Sequence, residues 1–506
     1  MFSASDFRLK SIFVALAFGT LGITAWAGDA EFGPLYQQFK LTLEPGLRQE
    51  AAGPLWYSQQ SGPPGDRLRL WAIPPLFSYG RNDDVDFEEF DFLWKVATYN
   101  RYGPEYRFQL VQWFSFAGGG TQSDTNVHRF TLFPIYFQQR SAIPEKNYTA
   151  IFPLYGRIEN RFFRDEAQFV LFPLYGQSRK KEVVTDNYLY PFFHLRHGDG
   201  LKGWQFWPLF GAEHKELTWR TNHWGDPFVV GGHDKQFMLW PFLQDQRVGV
   251  GTTNTAHQQA FLPFYSFLRS PQRDSTTAPW PIGYTHTVDR VKKFEEWGAP
   301  WPLVVFARGE GKHTDRVWPF FSHARDATQN SDWYLWPVYK HNRLHNDPLD
   351  RERTRILFFL YSDASTRNTE AGTRQRRIDL WPLFSSTRDF EGRRRLQVIS
   401  FLEPILPNNT SVQRDISPLW SLWRSEKNPQ TGARNQSLLW NLYRRDAAPD
   451  SKKCSLLFGL LKYQSGPDGK RWRVFYVPFG KKKDPPARPE TEGKTSIPRE
   501  TTNGHE

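Results

Sequence analysis

Along most of the chain, short apolar runs return at near-constant intervals, and polar stretches rich in Gly, Asp and Pro separate them. The centre of each run reads aromatic-Pro-apolar-aromatic. It stands at Phe133-Pro134-Ile135-Tyr136, Phe152-Pro153-Leu154-Tyr155, Phe172-Pro173-Leu174-Tyr175, Tyr190-Pro191-Phe192-Phe193 and Trp207-Pro208-Leu209-Phe210, with prolines 19, 20, 18 and 17 residues apart. After a longer interval the unit returns at Trp240-Pro241, Leu262-Pro263, Trp280-Pro281, Trp301-Pro302, Trp318-Pro319, Trp336-Pro337 and Trp381-Pro382. Copies without the proline, such as Leu357-Phe358-Phe359-Leu360-Tyr361 and Leu438-Leu439-Trp440-Asn441-Leu442-Tyr443, keep the pitch. Gly53-Pro54-Leu55-Trp56 and Pro74-Pro75-Leu76-Phe77 extend it towards the N-terminus. Self-similarity at a fixed period marks a repeat architecture, here about 22 units of roughly 20 residues across residues 28–480.

Within each unit the residues alternate as a strand does. Ile378, Leu380, Pro382 and Phe384 share one apolar face, while Arg377, Asp379, Trp381, Leu383 and Ser385 form a mixed one. Trp204, Phe206, Pro208 and Phe210 divide from Gln205, Trp207 and Leu209 in the same way. Helix is excluded by proline in the middle of the apolar runs and by the weight of aromatic and β-branched residues. The fold class is therefore all-β, a repetitive antiparallel meander. Each period holds one clear polar turn, so it is either one long strand or two short strands with a second reversal at the aromatic-Pro corner.

Two architectures follow. The first, and the one expected, is a closed outer-membrane β-barrel with one strand per unit, its apolar face on lipid and its mixed face lining the lumen. Runs of about 14–16 residues between polar turns, as from Arg393 to Pro407, favour it because they are long enough to cross a bilayer at a tilt. The second is a β-hairpin solenoid or propeller-like array, in which proline sits at a reversal. Proline weighs against the barrel, since in a central strand it deletes a ladder bond.

Composition adds the compartment. Arg8 and Lys10 precede an apolar stretch from Ile12 to Trp26, and Ala25-Trp26-Ala27 supplies a small-x-small cleavage pattern, so residues 1–27 are expected to be an export signal. The expected location is the outer membrane of a Gram-negative-type bacterium, with periplasm or cell surface as the alternative. One cysteine, Cys454, excludes intramolecular disulfides and multi-cysteine metal sites; it reads as a half-buried apolar residue. Residues 481–506, rich in Lys, Pro, Glu and Thr without an aromatic residue, are expected to form a disordered tail.

Aromatic residues make up 17 % of the chain and the formal charge is +12, so acidic partners are favoured. Membrane lipid or lipopolysaccharide is the expected partner, with an anionic solute or polysaccharide next; nucleic acid is not expected for an exported chain. The charge gathers in Arg351, Arg353 and Arg355, in Arg374 and Arg376, and in Arg393 and Arg395. Repeats stacked in register would join these into a basic stripe that meets phosphates or other anions.

Catalytic patterns are missing. His194 and His197 would lie on opposite strand faces, the acidic run from Asp83 to Asp91 lacks calcium-loop spacing and reads as a loop leading into a strand at Phe92, and Gly118-Gly119-Gly120-Thr121 has no lysine placed for phosphate. The expectation is a non-enzyme without cofactor or metal: a passive pore, transport conduit or structural envelope component, or alternatively a module that binds glycan or another envelope polymer.

Overall fold

The computed structural model describes residues 32–120, 127–467 and 469–479. The expected export signal and C-terminal tail lie outside the described residues. Among the described residues forty-three strands form one antiparallel sheet, each paired with its sequence neighbours except where a two-stranded hairpin, Thr218–Thr221 with Pro227–Val230, interrupts the order. That hairpin occupies the long interval before Trp240. Neighbouring strands lie about 4.8 Å apart, so the sheet is a ribbon about 200 Å long. The first described strand, Gln37–Lys40, and the last, Val477–Phe479, pair only with their neighbours in sequence.

The long strands expected from the 14–16-residue runs are not present. Typical strands hold six residues, as in Leu68–Ile73, Phe77–Asn82 and Phe87–Phe92, and the longest hold eight, as in Tyr339–Asn346. Each period is two short strands. From Arg393 to Pro407, the strand ends at Val398 and the chain leaves the sheet. The acidic run splits likewise: Asp83 to Asp86 is a turn, and the strand starts at Phe87 rather than Phe92.

The aromatic-Pro core is the second reversal. Ile135 N–H donates to Leu132 O at 2.8 Å across Phe133-Pro134, whose peptide bond is cis, the geometry of a type VI turn. The same bond closes Leu171 to Leu174, Leu189 to Phe192, Leu239 to Phe242 and Leu335 to Val338. Proline therefore costs no ladder bond. Its carbonyl also accepts from the next unit: Phe172 N–H to Pro153 O at 2.7 Å, Tyr190 to Pro173 at 2.7 Å, Trp240 to Pro208 at 2.6 Å and Trp336 to Pro319 at 2.8 Å. Consecutive turns are thus hydrogen-bonded to one another, and the sheet continues through its own corners.

Pairing fixes two faces. Tyr57 pairs with Ala72, Ala72 with Ser78, Ser78 with Asp91 and Asp91 with Thr98, and this transverse row runs on to Arg473. The face that carries it is the inner one: Tyr57, Ala72, Phe137, Ala150, Phe169, Ser322, Asp379 and Gln397 are buried. The opposite face carries Tyr155, Val170, Phe206, Phe210 and Leu456, all exposed. Small residues let the inner face curve. At Gly211 a Cβ would lie 2.1 Å from the ring of its cross-strand partner Phe237.

The two ends of the ribbon meet on the inner face. Residues 399–422 replace one aromatic turn by an excursion that contains a short helical stretch, Val412–Ile416 followed by Ser417–Trp420. Tyr57 donates a hydrogen bond to Asp415, Asn441 Nδ2 donates to Glu50 at 3.0 Å, and Arg444 sits 3.6 Å above the Phe39 ring. Gly33 approaches Tyr476 so closely that a Cβ would stand 2.2 Å from its hydroxyl.

Candidate functional site

The ribbon has two unlike long edges. One consists of polar turns such as Gly198-Asp199-Gly200 and Asn368 to Thr373. The other, the aromatic rim, consists of the aromatic-Pro turns. Their tips stand free: Ile135 is 53 %, Leu154 55 % and Phe320 59 % exposed. In several units the residue before the proline packs against its counterpart in the next unit, and Phe152 and Phe172 also lie on the buried inner cluster. Phe152 and Phe172 have ring centroids 5.4 Å apart, Phe172 and Tyr190 5.4 Å, Trp207 and Trp240 5.9 Å, and Trp318 and Trp336 6.4 Å. The four motif residues therefore have separate places: inner collar, corner, tip and outer face.

The apolar band on the outer face is shallow. Beside the turns it holds residues such as Tyr188, Phe206, Phe210, Met238 and Tyr334. One row further from the rim it is interrupted: aromatic residues stand at Tyr79, Phe90, Tyr99, Phe108 and Phe116 near the N-terminus and again at Trp204, Phe267, Trp297, Phe306, Tyr463 and Trp472. Among these the same row carries Asp186, Asp245, His286, Asp315, His323, Asp332 and His341. His323 Nδ1 lies 3.0 Å from Asp332, and His257 Nε2 lies 2.7 Å from Asp245. Turn tips plus one strand row make a depth comparable with the about 5–10 Å that an interfacial element buries in a membrane.

The inner row next to the aromatic rim changes character along the ribbon. From Glu50 to Val305 it holds neither Lys nor Arg, and from Arg316 onwards it gains Lys340, Arg355, Arg424, Arg444 and Lys462. Of the seven arginines singled out in the sequence, Arg351, Arg353 and Arg355 share the inner face, and Arg395 joins them. Arg374 and Arg376 point to the outer face, where Arg376 Nη2 pairs with Asp363 at 2.7 Å. Arg393 lies just before its strand, paired with Asp389 at 2.6 Å and reaching Leu43 O at 3.4 Å. The stripe is thus divided between faces, and its inner part was incomplete: Arg316, Lys340 and Arg377 belong to it.

Where the ribbon ends meet, a chamber of about 450 Å3 is lined by Phe39, Arg48, Glu50, Gln59, Arg424 and Arg444, among others. Arg48 Nε pairs with Glu50 at 2.7 Å and its Nη1 donates to Gln59 at 3.1 Å. Arg377 holds the excursion by donating to Glu403 O at 2.7 Å, and Arg395 pairs with the Glu403 carboxylate. Burial pushes the Tyr57 phenol well above its ordinary range, with the Asp415 carboxylate adding to the effect. Burial likewise pushes Glu44 and Asp91 upwards. Buried charges paired in this way fix the position of the two ends more than they stabilise them, because desolvation offsets most of the Coulombic gain. Their use is that of a clasp.

His194 and His197 lie on opposite faces, and among the described residues no group of three His, Cys, Asp or Glu side chains is placed to hold a metal ion. Cys454 is a free, half-buried thiol on the outer face. Compared with known proteins, the chain matches no family model and no curated protein.

Proposed function

We propose that the protein is a structural component of the bacterial envelope that seats its aromatic rim in the surface of a membrane and presents its inner face to anionic material there. The observation that carries this reading is the rim itself: a continuous line of exposed Phe, Trp, Leu and Ile tips whose backbone N–H groups are satisfied from turn to turn. Hydrocarbon tolerates irregular backbone only when its polar groups are paired within the protein. Water makes no such demand, and an exposed apolar edge of this length is costly there.

A rim set into one leaflet is preferred to a barrel crossing both. Membrane-crossing strands need about 9–11 residues and an outer apolar band about 25 Å tall. Six-residue strands span roughly 20 Å, and the second row of their outer faces is broken by Asp and His, as at Asp245, His286, Asp315, His323 and Asp332. Export to the envelope is part of the proposal and rests on the pattern at residues 1–27.

Flotation with neutral phosphatidylcholine vesicles tests it. The full chain is expected to float with the vesicles, to remain bound in high salt, and to give no steady conductance in planar bilayers. A protein that stays at the bottom of the gradient sinks the rim reading, and stable unitary conductance replaces it with the pore.

A further inference from the structure

We propose that Arg316, Lys340, Arg353 and Arg355 form a binding site for the phosphate headgroup of an anionic membrane amphiphile, placed on the inner face directly above the Trp318–Trp336 part of the rim. The inference rests on the rim reading for its source of ligand, and on the following geometry for the site.

Lys340 and Arg355 are direct cross-strand partners, and Arg353 lies two residues from Arg355 on the same face. Arg316 occupies the same row three strands away, through Ser322 and Trp333. Like charges set opposite one another on a sheet are destabilising. By contrast, several cations on the outer face of these and neighbouring strands are paired: Arg343 with Asp350 at 2.8 Å, Arg376 with Asp363 at 2.7 Å and Arg308 with Asp315 at 2.5 Å. Among the described residues none of the four inner cations has a carboxylate partner. Their only side-chain hydrogen bonds are long ones, Arg316 Nε to Ser322 Oγ and Arg353 Nε to Ser362 Oγ, both at 3.4 Å. The carboxylate further along the row, Asp379, is held by Arg377 at 2.8 Å and by the Ser385 hydroxyl.

The cluster is also partly withdrawn from water: Arg316, Lys340 and Arg355 are half-buried, and the exposed Arg353 flanks them. Burial, then the charges of Arg355 and Arg316, hold the Lys340 amine below its ordinary range. An arrangement that raises the energy of its own charges is relieved by an anion that accepts from several of them at once.

Depth selects the source of that anion. Lys340 follows Tyr339, the first strand residue after the Leu335 to Val338 turn, and Arg355 and Arg316 stand equally close to their own turns. With Trp318, Trp336 and Phe358 at the acyl boundary, the row lies at headgroup level. A phosphomonoester headgroup offers the charge and the acceptor oxygens that this set of donors requires, and its acyl chains continue past the aromatic collar.

The test compares neutral phosphatidylcholine vesicles with the same vesicles carrying phosphatidic acid, using the full chain and the double variant Lys340→Gln/Arg355→Gln. The control is Arg325→Gln/Arg367→Gln, which removes equal charge from the outer face near the polar edge. Wild type is expected to prefer the acidic vesicles by roughly tenfold or more. The cluster variant loses that preference while the control keeps it, and binding to neutral vesicles is the same in all three. The cluster variant removes mutual repulsion, so its thermal midpoint does not fall. An unchanged preference in the cluster variant overturns the site. Inorganic pyrophosphate binding with the same variant dependence, and no vesicle preference, reassigns the site to a soluble phosphate and overturns the lipid assignment. Failure on neutral vesicles alone counts against the rim reading and leaves the site's own comparison intact.

Discussion

Tyr57 and Asp415, 358 residues apart in sequence, are joined by one hydrogen bond from a fully buried phenol to a buried carboxylate. Their contact holds the beginning of the ribbon against the excursion near its end. Asp415 keeps the Arg414 guanidinium at 2.6 Å if the phenol is lost. Tyr57→Phe therefore removes a charge-assisted bond without orphaning the acid, at a cost of about 1.5–3 kcal/mol. Repeat arrays transmit stability only to neighbours. Hydrogen exchange is expected to quicken at residues 46–61 and 412–420 and to stay unchanged at residues 312–356; uniform loss of protection would show that the ribbon unfolds as one unit instead.

The repeat, the β class and the unlike faces were legible in the sequence; the length of the strands was not. The reason is parity. Leu380 pairs with Phe384, Phe206 with Phe210 and Leu132 with Tyr136, each pair four residues apart and on the same face. A reversal of even span preserves alternation, so Ile378, Leu380, Pro382 and Phe384 read as one strand although the chain turns back between them. Odd spans defeat the pattern in the opposite way. Ile356 pairs with Tyr361, five apart, so inner residues change from odd to even numbers at that turn. That change, and the turn that follows, place Arg377 in one row with Arg353, across Ala364, and send Arg374 and Arg376 outwards. Left-handed backbone at Leu171, Leu189, Leu239 and Leu335 left no mark in residue type either. The clasp depends on contacts hundreds of residues apart, which no local pattern encodes.

His233 supplies a pH dependence. Burial holds its imidazole below the ordinary range, and the Glu213 carboxylate at 2.6 Å only partly opposes this. Between the folded value and about 6.5 the unfolded chain binds more protons than the folded one, so stability rises with pH across that window. Its loss begins as the pH falls below about 6.5 and is complete at the folded value. His233→Gln is expected to flatten the fall in thermal midpoint between pH 7 and pH 5 relative to wild type. Parallel curves would mean that His233 is protonated in the folded state without cost.

Gly211 and Phe237 form a cross-strand pair in which the ring takes the space of the missing side chain. Gly211→Ala drives a methyl into that ring and is expected to cost about 1–3 kcal/mol. Phe237→Leu alone loses packing. Combined, the two changes should cost less than the sum of the separate losses, because the smaller side chain admits the methyl; a coupling of about 0.5 kcal/mol or more in a double-mutant cycle of denaturant midpoints checks it. Strict additivity would place the cost in the backbone rather than in the contact.

The rim can be separated from general hydrophobicity by substituting matched residues on the two edges. Phe192 and Phe320 are tips of the aromatic rim, 48 % and 59 % exposed, whereas Phe390 stands 38 % exposed at a polar turn on the other edge. In each case aspartate replaces a ring with much of its surface in solvent, so changes in thermal stability are expected to stay small. Burying a Phe side chain is worth about 1.5–3 kcal/mol, which sets the expected loss of vesicle affinity for Phe192→Asp or Phe320→Asp at about ten- to hundredfold. Phe390→Asp should bind as wild type does. Equal losses from both edges would mean that the ribbon adheres through exposed aromatic residues at large, and the rim would then have no privileged contact with the membrane.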